Sequence, residues 1–417
     1  MEFVKSFNFA MCIFFIVCYA YQFVYIAIPF IKKDKPHKQV KMHRFAVLIS
    51  ARNESAVIAN LLESIKSQTY PQDLVDIFLV ADNCTDNTAE IGRNCGVHVY
   101  ERFDRVKVGK GYALNFALDK IKNEYGDNHF DAYFVFDADN VLDPNYIEEM
   151  NKSFSDGFDI LTSYRNSKNY GDNWISAGYA LWFLRESKYL NYPRMLLNTS
   201  CAISGTGFMF SQKVINRTNG WNYYLLTEDI EFSVDNITNN YRIGFCKNAV
   251  LYDEQPNEFA QSVRQRMRWA KGYIQVFTNY GKRLIKGTLK GDSFACFDMT
   301  MTIMPAIITT ILSLAVNGTA VIAGLIAGVS IAPVVEALIG MAVGMYGTMF
   351  FIGAVTTVTE WKNIYTSAKK KILYMFTFPI FMFTYIPITV MALFKKVEWK
   401  PIVHSKSKSL ADIKNMN

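Results

Sequence analysis

From Thr300 to Thr359 the chain carries a single charged side chain, Glu336. A stretch this apolar belongs in lipid, and Pro333 divides it into two runs of roughly 20 residues or more, each long enough to cross a bilayer. Residues 9–31, FAMCIFFIVCYAYQFVYIAIPFI, form another uncharged run. It is too long for a signal-peptide core and reads as a retained anchor. With 51% hydrophobic, 15% aromatic and 19% charged residues among 417, the composition excludes a mostly disordered chain. A mean hydropathy of +0.07 also excludes a wholly water-soluble one. The balance of 44 Lys+Arg against 37 Asp+Glu gives +7, too modest to imply a nucleic acid partner. Seven scattered cysteines show neither zinc-ligand nor disulfide-framework spacing and fit reduced thiols facing a cytosol.

Charge beside the apolar runs sets an expected orientation. KKDKPHKQVKMHR, directly after the anchor, holds six Lys/Arg against one Asp, and MEFVKSFN before it holds one charge of each sign. The positive-inside rule places the N-terminus outside and the following domain in the cytosol. A further apolar run, 372–394, is interrupted by Pro379 and Pro387. The expected layout is a transmembrane helix at 9–31, a cytosolic domain at 45–269, an amphipathic interface helix at 270–292, about three transmembrane helices in 297–394, and a basic tail at 395–417. Three late crossings would leave that Lys-rich tail outside, against its charge. Either a fourth crossing lies in 297–332 or the Pro-interrupted run is re-entrant. For AKGYIQVFTNYGKRLIKGTLK (270–290) two readings fit the pattern equally: a helix lying in the membrane interface, or one packed on the cytosolic domain.

Within 45–269, strand-like and helix-period segments alternate. FAVLIS (45–50), VDIFLVA (75–81) and DAYFVFD (131–137) read as buried strands. Ile58, Leu61, Leu62 and Ile65 mark one helix face. A Thr/Asp-led helix follows the second strand and can stop at Gly96. Ala113–Ile121 is another amphipathic helix, and Asp143-Pro144 reads as a cap followed by proline at the first helical position. Such alternation specifies an α/β fold with a mostly parallel sheet covered on both faces, plus the helical membrane segments. Ligands of such sheets bind beyond the carboxyl ends of the strands, which here run into Arg52-Asn53-Glu54, Ala81-Asp82-Asn83 and Asp137-Ala138-Asp139. No GxGxxG or GxxxxGK[ST] is present, so an anion must be held another way.

Asp137 and Asp139 would share one face of an extended segment and suit Mg2+ or Mn2+ bridging a diphosphate; an isolated DxD also reads as a solvated acidic turn. In Thr227-Glu228-Asp229 a carboxylate in partly apolar surroundings can act as general base, or Thr227 can simply cap a helix whose dipole favours the acids. In Gln265-Arg266-Met267-Arg268-Trp269 an Arg can grip a phosphate and the indole can stack on a sugar. The same run also reads as a juxtamembrane helix whose Arg264 and Arg266 contact lipid headgroups.

Taken in order, RNE, ADN, DAD, SGTG (204–207), TED and QRMRW resemble the membrane-embedded processive glycosyltransferases of family 2, the cellulose, hyaluronan and mixed-linkage β-glucan synthases, over roughly 45–290 and the flanking spans. The resemblance implies a GT-A, Rossmann-like domain taking a UDP-sugar and inverting its anomeric centre. It implies that Glu54 and Asp82 hold the uridine, that Lys110 faces the diphosphate, that Asp137 is the nucleotide-side Asp and that Asp139 is the ligand of Mg2+ or Mn2+. Asp229 would be the catalytic base, with Glu228 beside it in the substrate-binding set. Gly205, Thr206 and Gly207 would line the acceptor entrance, and Gln265, Arg268 and Trp269 would clamp the diphosphate beneath the acceptor sugar.

The function so implied is a processive, metal-dependent hexosyltransferase of the plasma membrane. It would polymerise a β-glucan, mixed-linkage or β-1,4, from UDP-glucose and export it. Its partners would be the donor, the growing glycan and the bilayer, in a monomer. Trp174, Tyr179 and Trp182 would line a product tunnel or form a membrane-surface aromatic belt. Single transfer to a membrane lipid, as in ceramide glucosyltransferases, and a non-catalytic membrane scaffold are the competing readings. The chain lacks an FxVTxK gating loop, and Val397-Glu398-Trp399-Lys400-Pro401 is a candidate cover for the nucleotide in its place.

Overall fold

In a computed structural model, which describes residues 2–290, 294–398, 402 and 404–416, the apolar runs become strands. They are β1 (Phe45–Ala51), β2 (Val75–Asp82), β3 (His98–Arg102) and β4 (Ala132–Asp137), mutually parallel in the order β3-β2-β1-β4. The sheet continues through β5 (Val141–Leu142), β6 (Ile160–Ser167), β7 (Phe208–Ser211) and β8 (Ile243–Asp253), giving the full order β3-β2-β1-β4-β7-β6-β8-β5. β7 runs antiparallel to both β4 and β6, and β5 antiparallel to β8, so the second half of the sheet is mixed.

Both faces are dry, and the two-residue period of β1 shows why its sequence is apolar without interruption. Phe45, Val47 and Ile49 pack with Leu61, Leu62 and Ile65 of the Ile58–Lys66 helix. Ala46 and Leu48 pack on the other face with Leu114, Ala117 and Leu118 of the Lys110–Tyr125 helix. Each fully buried Leu, Ile or Phe stabilises this sandwich by about 1.5–3 kcal/mol relative to exposure. Past the strand ends, Asn53 and Asn83 adopt φ of 57° and 55°, a left-handed conformation that Asn tolerates better than most residues. There the chain turns back from the sheet edge where ligands are expected. The Asp143-Pro144 cap falls two residues early: the helix begins at Tyr146 with Asn145 in the cap position, and Asp143 instead accepts from Lys414 at 2.7 Å.

Four of the described helical segments are long and apolar enough to cross a membrane: Glu2–Ile31, Phe294–Ile326, Ala332–Thr359 and Ala368–Phe394. The last makes a contact to other parts of the chain near each of its ends. Lys370 Nζ donates to the carbonyl of Gly171 at 2.6 Å, and near the other end Lys271 Nζ lies 3.5 Å from the carbonyl of Leu393. Beyond it the tail also lies on the domain, with Ile413 fully buried beside Val141 and Tyr252.

QRMRW and the interfacial segment form one helix, Phe259–Leu289, so the boundary expected at 269/270 falls inside a continuous element, and its expected end at 292 lies outside the described residues. Arg266 does not face headgroups. It is fully buried, donates to Thr384 Oγ1 at 2.5 Å and the Phe381 carbonyl at 3.2 Å, and stacks on the Phe381 ring at 4.3 Å. Opposite, Asp298 gathers hydrogen bonds from Tyr21 and Tyr25 of the first apolar helix, each 2.8 Å, and from Arg194 Nε and Nη2, each 2.7 Å.

Candidate active site

The third strand expected from sequence ends at Asp137, and the chain then bends. Asn140 N donates to the Asp137 carbonyl at 3.1 Å, so Asp139 lies in a turn, not on an extended face. The two carboxylates therefore meet different partners. Asp137 Oδ1 takes Lys110 Nζ at 2.5 Å, while buried Asp139 accepts the Glu254 amide on Oδ2 at 2.7 Å. Burial works to raise the pKa of Asp139, but the charges of His404 and Lys168 outweigh it and hold the carboxyl below its ordinary value.

SGTG locks onto this turn. Thr206 Oγ1 accepts from Asp137 N at 2.9 Å and donates to Asn140 Oδ1 at 2.5 Å. Gly207 N donates to the Val135 carbonyl at 3.0 Å. Gly205 and Gly207 have φ of +80° and +65°, and a Cβ on Gly207 would lie 1.9 Å from Leu251 Cδ2, so glycine is required there by backbone and space together. Lys110 Nζ also donates to the Gly205 carbonyl at 2.7 Å, which ties the expected diphosphate lysine to the expected acceptor entrance.

On the far side of Gly205 stands the acidic triplet. A Cβ on Gly205 would be 3.9 Å from Asp229 Oδ2. Glu228 and Asp229 occupy the first turn of the Glu228–Thr238 helix, where the dipole favours negative charge. Thr227 holds the cap position without a side-chain cap bond and packs against Gly272 of the Phe259–Leu289 helix. Burial, then the neighbouring Asp229, pushes Glu228 up to about 7, against Lys110 and Arg268. Burial also raises Asp229, opposed by the Ile230 amide and by the same two cations. Arg268 thus shares the electrostatic environment of TED and Lys110, as the motifs implied. Two turns of one helix bring Gln265 and Trp269 alongside. Gln265 Oε1 is buried with no hydrogen-bond partner among the described residues, and Trp269 meets the Tyr179 and Phe183 rings edge-on at 5.7 and 6.1 Å.

The two carboxylates expected to hold uridine are already engaged. Asp82 pairs with Arg102 at 2.6 Å; burial raises its pKa and Arg102 counteracts. Both oxygens of Glu54 lie 3.0 Å from His404 Nδ1. His404 is lifted to about 10 despite its burial, through Asp139 and Glu54.

Several site residues carried no motif signal. Arg165 donates through Nε to Asp253 Oδ2 at 2.7 Å, through Nη1 to the Ser204 carbonyl at 2.7 Å, and stacks on Phe183 at 3.6 Å. Burial pushes Asp253 up to about 6, with Arg165 acting against it. Lys168 is wholly buried, and its Nζ has no hydrogen-bond partner among the described residues. Burial lowers its pKa against Asp139, Glu254 and Asp253. The tunnel aromatics share one cluster: Tyr179 is buried against Phe381 at 5.0 Å, and half-buried Trp174 and Trp182 pack against the same group, Trp182 also stacking with Arg185 at 5.0 Å and Trp174 with Phe259 at 6.1 Å.

Lys110 therefore joins Asp137 at the end of β4 to the Gly205 loop, and Asp229, at a helix start, stands beside that same loop. Residues 43–272, more than half of the chain, match the family model described as "Glycosyltransferase like family 2". The chain belongs to glycosyltransferase family 2. Among relatives of this family 2 enzyme, a probable glycosyltransferase of Sulfolobus acidocaldarius is 25% identical over 256 residues, 58% of this chain and 53% of the relative. A beta-monoglucosyldiacylglycerol synthase of Trichormus variabilis is 24% identical over 322 residues, 72% of this chain and 64% of the relative. A poly-beta-1,6-N-acetyl-D-glucosamine synthase of Staphylococcus epidermidis is 28% identical over 275 residues, 64% and 63%. The chain spans about half to two thirds of the length of these relatives. A Pyrobaculum calidifontis mannosyltransferase, crystallised with GDP-Man and Mn2+, has the same fold, with a TM-score of 0.58 at 15% identity over 94% of this chain and 99% of the other.

Proposed function

We propose that this family 2 glycosyltransferase is a processive, inverting hexosyltransferase that builds a β-linked glycan, with UDP-glucose the favoured donor, and exports it across the plasma membrane. The observation that carries the reading is the placement of Asp229 Oδ2 3.9 Å from the Cβ position of Gly205. Lys110 ties the Gly205 loop to Asp137, and Thr227, next to the acids, packs on Gly272 of the helix that carries Gln265, Arg268 and Trp269. That helix is clasped on its other side by the Ala368–Phe394 segment, so the acceptor end of the cleft adjoins membrane segments. With the N-terminus outside and the segment 368–394 taken as re-entrant, the chain would return to the cytosolic side after it. The basic tail then stays cytosolic, in agreement with its charge.

In this mechanism Asp229 takes the proton of the acceptor hydroxyl, whose oxygen attacks the anomeric carbon from the face opposite the diphosphate. The bond from that carbon to the diphosphate oxygen breaks, and the configuration inverts. Lys110 and Arg268 sit where the leaving charge grows, and preorganised cations contribute mainly by electrostatic stabilisation of that state. The residues fit a hard divalent cation. Asp137 and Asp139 supply hard carboxylate oxygens, the donor type Mg2+ or Mn2+ takes when one or two carboxylates and phosphate oxygens share its shell. Asp139, aided by Asp137, would hold it, and it would supply Lewis-acid charge to the diphosphate.

A second reading, single transfer to a membrane lipid, is favoured by the burial of Tyr179 in a packed aromatic cluster, which removes it from any tunnel wall. Detergent-purified protein given radiolabelled UDP-glucose with Mn2+ decides between them. High-mass product that glucanase digests supports the polymer, chloroform-soluble label the glycolipid, and release of no UDP from any UDP-sugar would overturn both.

A further inference from the structure

The nucleotide cover expected at 397–401 has Trp399, Lys400 and Pro401 outside the described residues, whereas both helices on the acceptor side are described in full. The Trp174–Glu186 and Phe259–Leu289 helices run side by side in the same direction. Contacts between them advance in step. Trp174 meets Phe259 at 6.1 Å, the Tyr179 hydroxyl donates to the Ser262 carbonyl at 3.2 Å, and Phe183 meets Trp269 at 6.1 Å. One further turn along each helix brings Glu186 level with Tyr273. Past Trp269, therefore, the facing pair carries polar groups.

Glu186 is held from the SGTG side. Ser204 Oγ donates to Glu186 Oε1, and Arg165 donates through Nη1 to the Ser204 carbonyl at 2.7 Å while stacking on Phe183 at 3.6 Å. Directly after Glu186 the helix widens into a π-turn, Ser187–Asn191, a rare geometry that recurs at functional sites. Gly205, next in the loop, borders Asp229 Oδ2, and Gly272, next to Tyr273, packs on Thr227 two residues before Asp229. Burial raises the pKa of the Tyr273 phenol, and the charges that raise it further are those of Glu186 and Asp229. Yet Glu186 Oε2 and the Tyr273 hydroxyl make no hydrogen bond among the described residues, and both residues are only half-buried.

An open carboxyl oxygen beside an open phenol presents one acceptor and one donor, and a carboxyl keeps an oxygen that accepts in either protonation state. Neighbouring hydroxyls of a sugar ring, each able to donate and to accept, complement the pair. A phosphate dianion or a carboxylate offers the Glu186 oxygen no proton. We propose that Glu186 and Tyr273 bind the sugar that receives the transfer, Glu186 accepting from one ring hydroxyl and Tyr273 donating to another, while Asp229 meets the hydroxyl that attacks. The inference rests on the glycosyl-transfer reading above and narrows its acceptor. That acceptor is a neutral sugar, at the end of a glycan or in the headgroup of a glycolipid, and not a phosphate-bearing molecule or a sugar-free lipid alcohol.

The test uses full-length protein in a sugar-free detergent with Mg2+ and whichever radiolabelled UDP-sugar it consumes. Transfer to cellotriose and to octyl β-D-glucoside is measured against hydrolysis of the donor to free sugar. Tyr273→Phe removes one hydroxyl and keeps the ring, so the ratio of transfer to hydrolysis should fall about three- to tenfold. In Glu186→Gln the amide oxygen keeps Ser204 and the NH2 group faces the sugar, a donor where an acceptor is needed; the ratio should fall about tenfold or more. A merely structural role lowers both activities together, and wild-type ratios and acceptor KM values in both variants would overturn the subsite. So would wild-type hydrolysis with transfer to neither probe. Transfer to cellotriose alone supports the subsite with a glycan end as occupant, and transfer to octyl β-D-glucoside alone supports it with a glycolipid. Consumption of no UDP-sugar by wild type overturns the glycosyl-transfer reading and this inference with it.

Discussion

The ammonium of Lys110 lies 2.5 Å from Oδ1 of Asp137, and the same nitrogen donates to the Gly205 carbonyl at 2.7 Å. One side chain thus ties the end of β4 to the Gly205 loop. Lys110→Gln should raise the donor KM about tenfold or more, the worth of a charge-assisted hydrogen bond. A donor titration showing an unchanged KM would remove Lys110 from the diphosphate site.

Asp229→Asn should abolish turnover while sparing the nucleotide. A positioned base contributes roughly 10²- to 10⁴-fold, so donor consumption should fall at least a hundredfold, with the UDP dissociation constant within a factor of about three by calorimetry. A large loss of UDP binding would show that Asp229 is structural.

Glu228 and Asp229 bind a proton between them as pH falls through about 7, where burial and then Asp229 place Glu228. The base must be unprotonated, so turnover should rise as pH climbs through that value. Glu228→Gln removes the neighbouring negative charge and should move the rising limb to lower pH. The stability sign is opposite. Because the folded value lies above the ordinary 4.5, the group's favourable contribution is fully present below that pH and is lost as pH rises through about 7. A limb that stays in place in the variant rules out the coupling.

Gly207→Ala should fail in two ways at once. The residue has φ +65°, and a Cβ there would lie 1.9 Å from Leu251 Cδ2 and 2.7 Å from Ser163 Oγ. A left-handed alanine and an overpacked core together cost about 2–5 kcal/mol. Adding Leu251→Ala relieves only the clash, so thermal unfolding in detergent should show partial recovery; full recovery would mean that the backbone conformation is not needed.

Chelation tests the expected role of Asp139. Removing divalent ions with EDTA should weaken UDP binding in wild type and leave Asp139→Asn, already weak, nearly unchanged. Equal loss in both would place the metal elsewhere.

Three of the four parallel strands were legible, because β1, β2 and β4 are buried on both faces and so read as unbroken apolar runs, whereas β3, half-exposed at the sheet edge, carries no such run. The antiparallel insertion of β7 was not, since Phe208–Ser211 is four residues long, too short to carry a period. The motif order found Lys110, Asp137, Gly205, Asp229 and Arg268, which the fold gathers. Arg165, Lys168 and Asp253 escaped because no motif marks SYRNSK or YDEQ, and only the β6–β8 pairing sets the two segments together. Arg266 looked like a surface arginine in a basic run; its burial depends on Phe381 and Thr384, more than a hundred residues away. The tail read only as a basic, Lys-rich segment, yet Ser409 and Asp412 form a capping box at the start of its helix, a signal of local order present in the sequence.

The junction at Asp298 bears on how the enzyme can be handled. Two tyrosines from the first apolar helix and Arg194 together supply the hydrogen-bond donors around the Asp298 carboxylate. Trimming the leading helix to obtain a water-soluble fragment would strip the aspartate of two of its donors and expose the guanidinium partner to a different solvent. Purification schemes should therefore keep the leading helix and the catalytic portion as one polypeptide in a lipid or detergent environment.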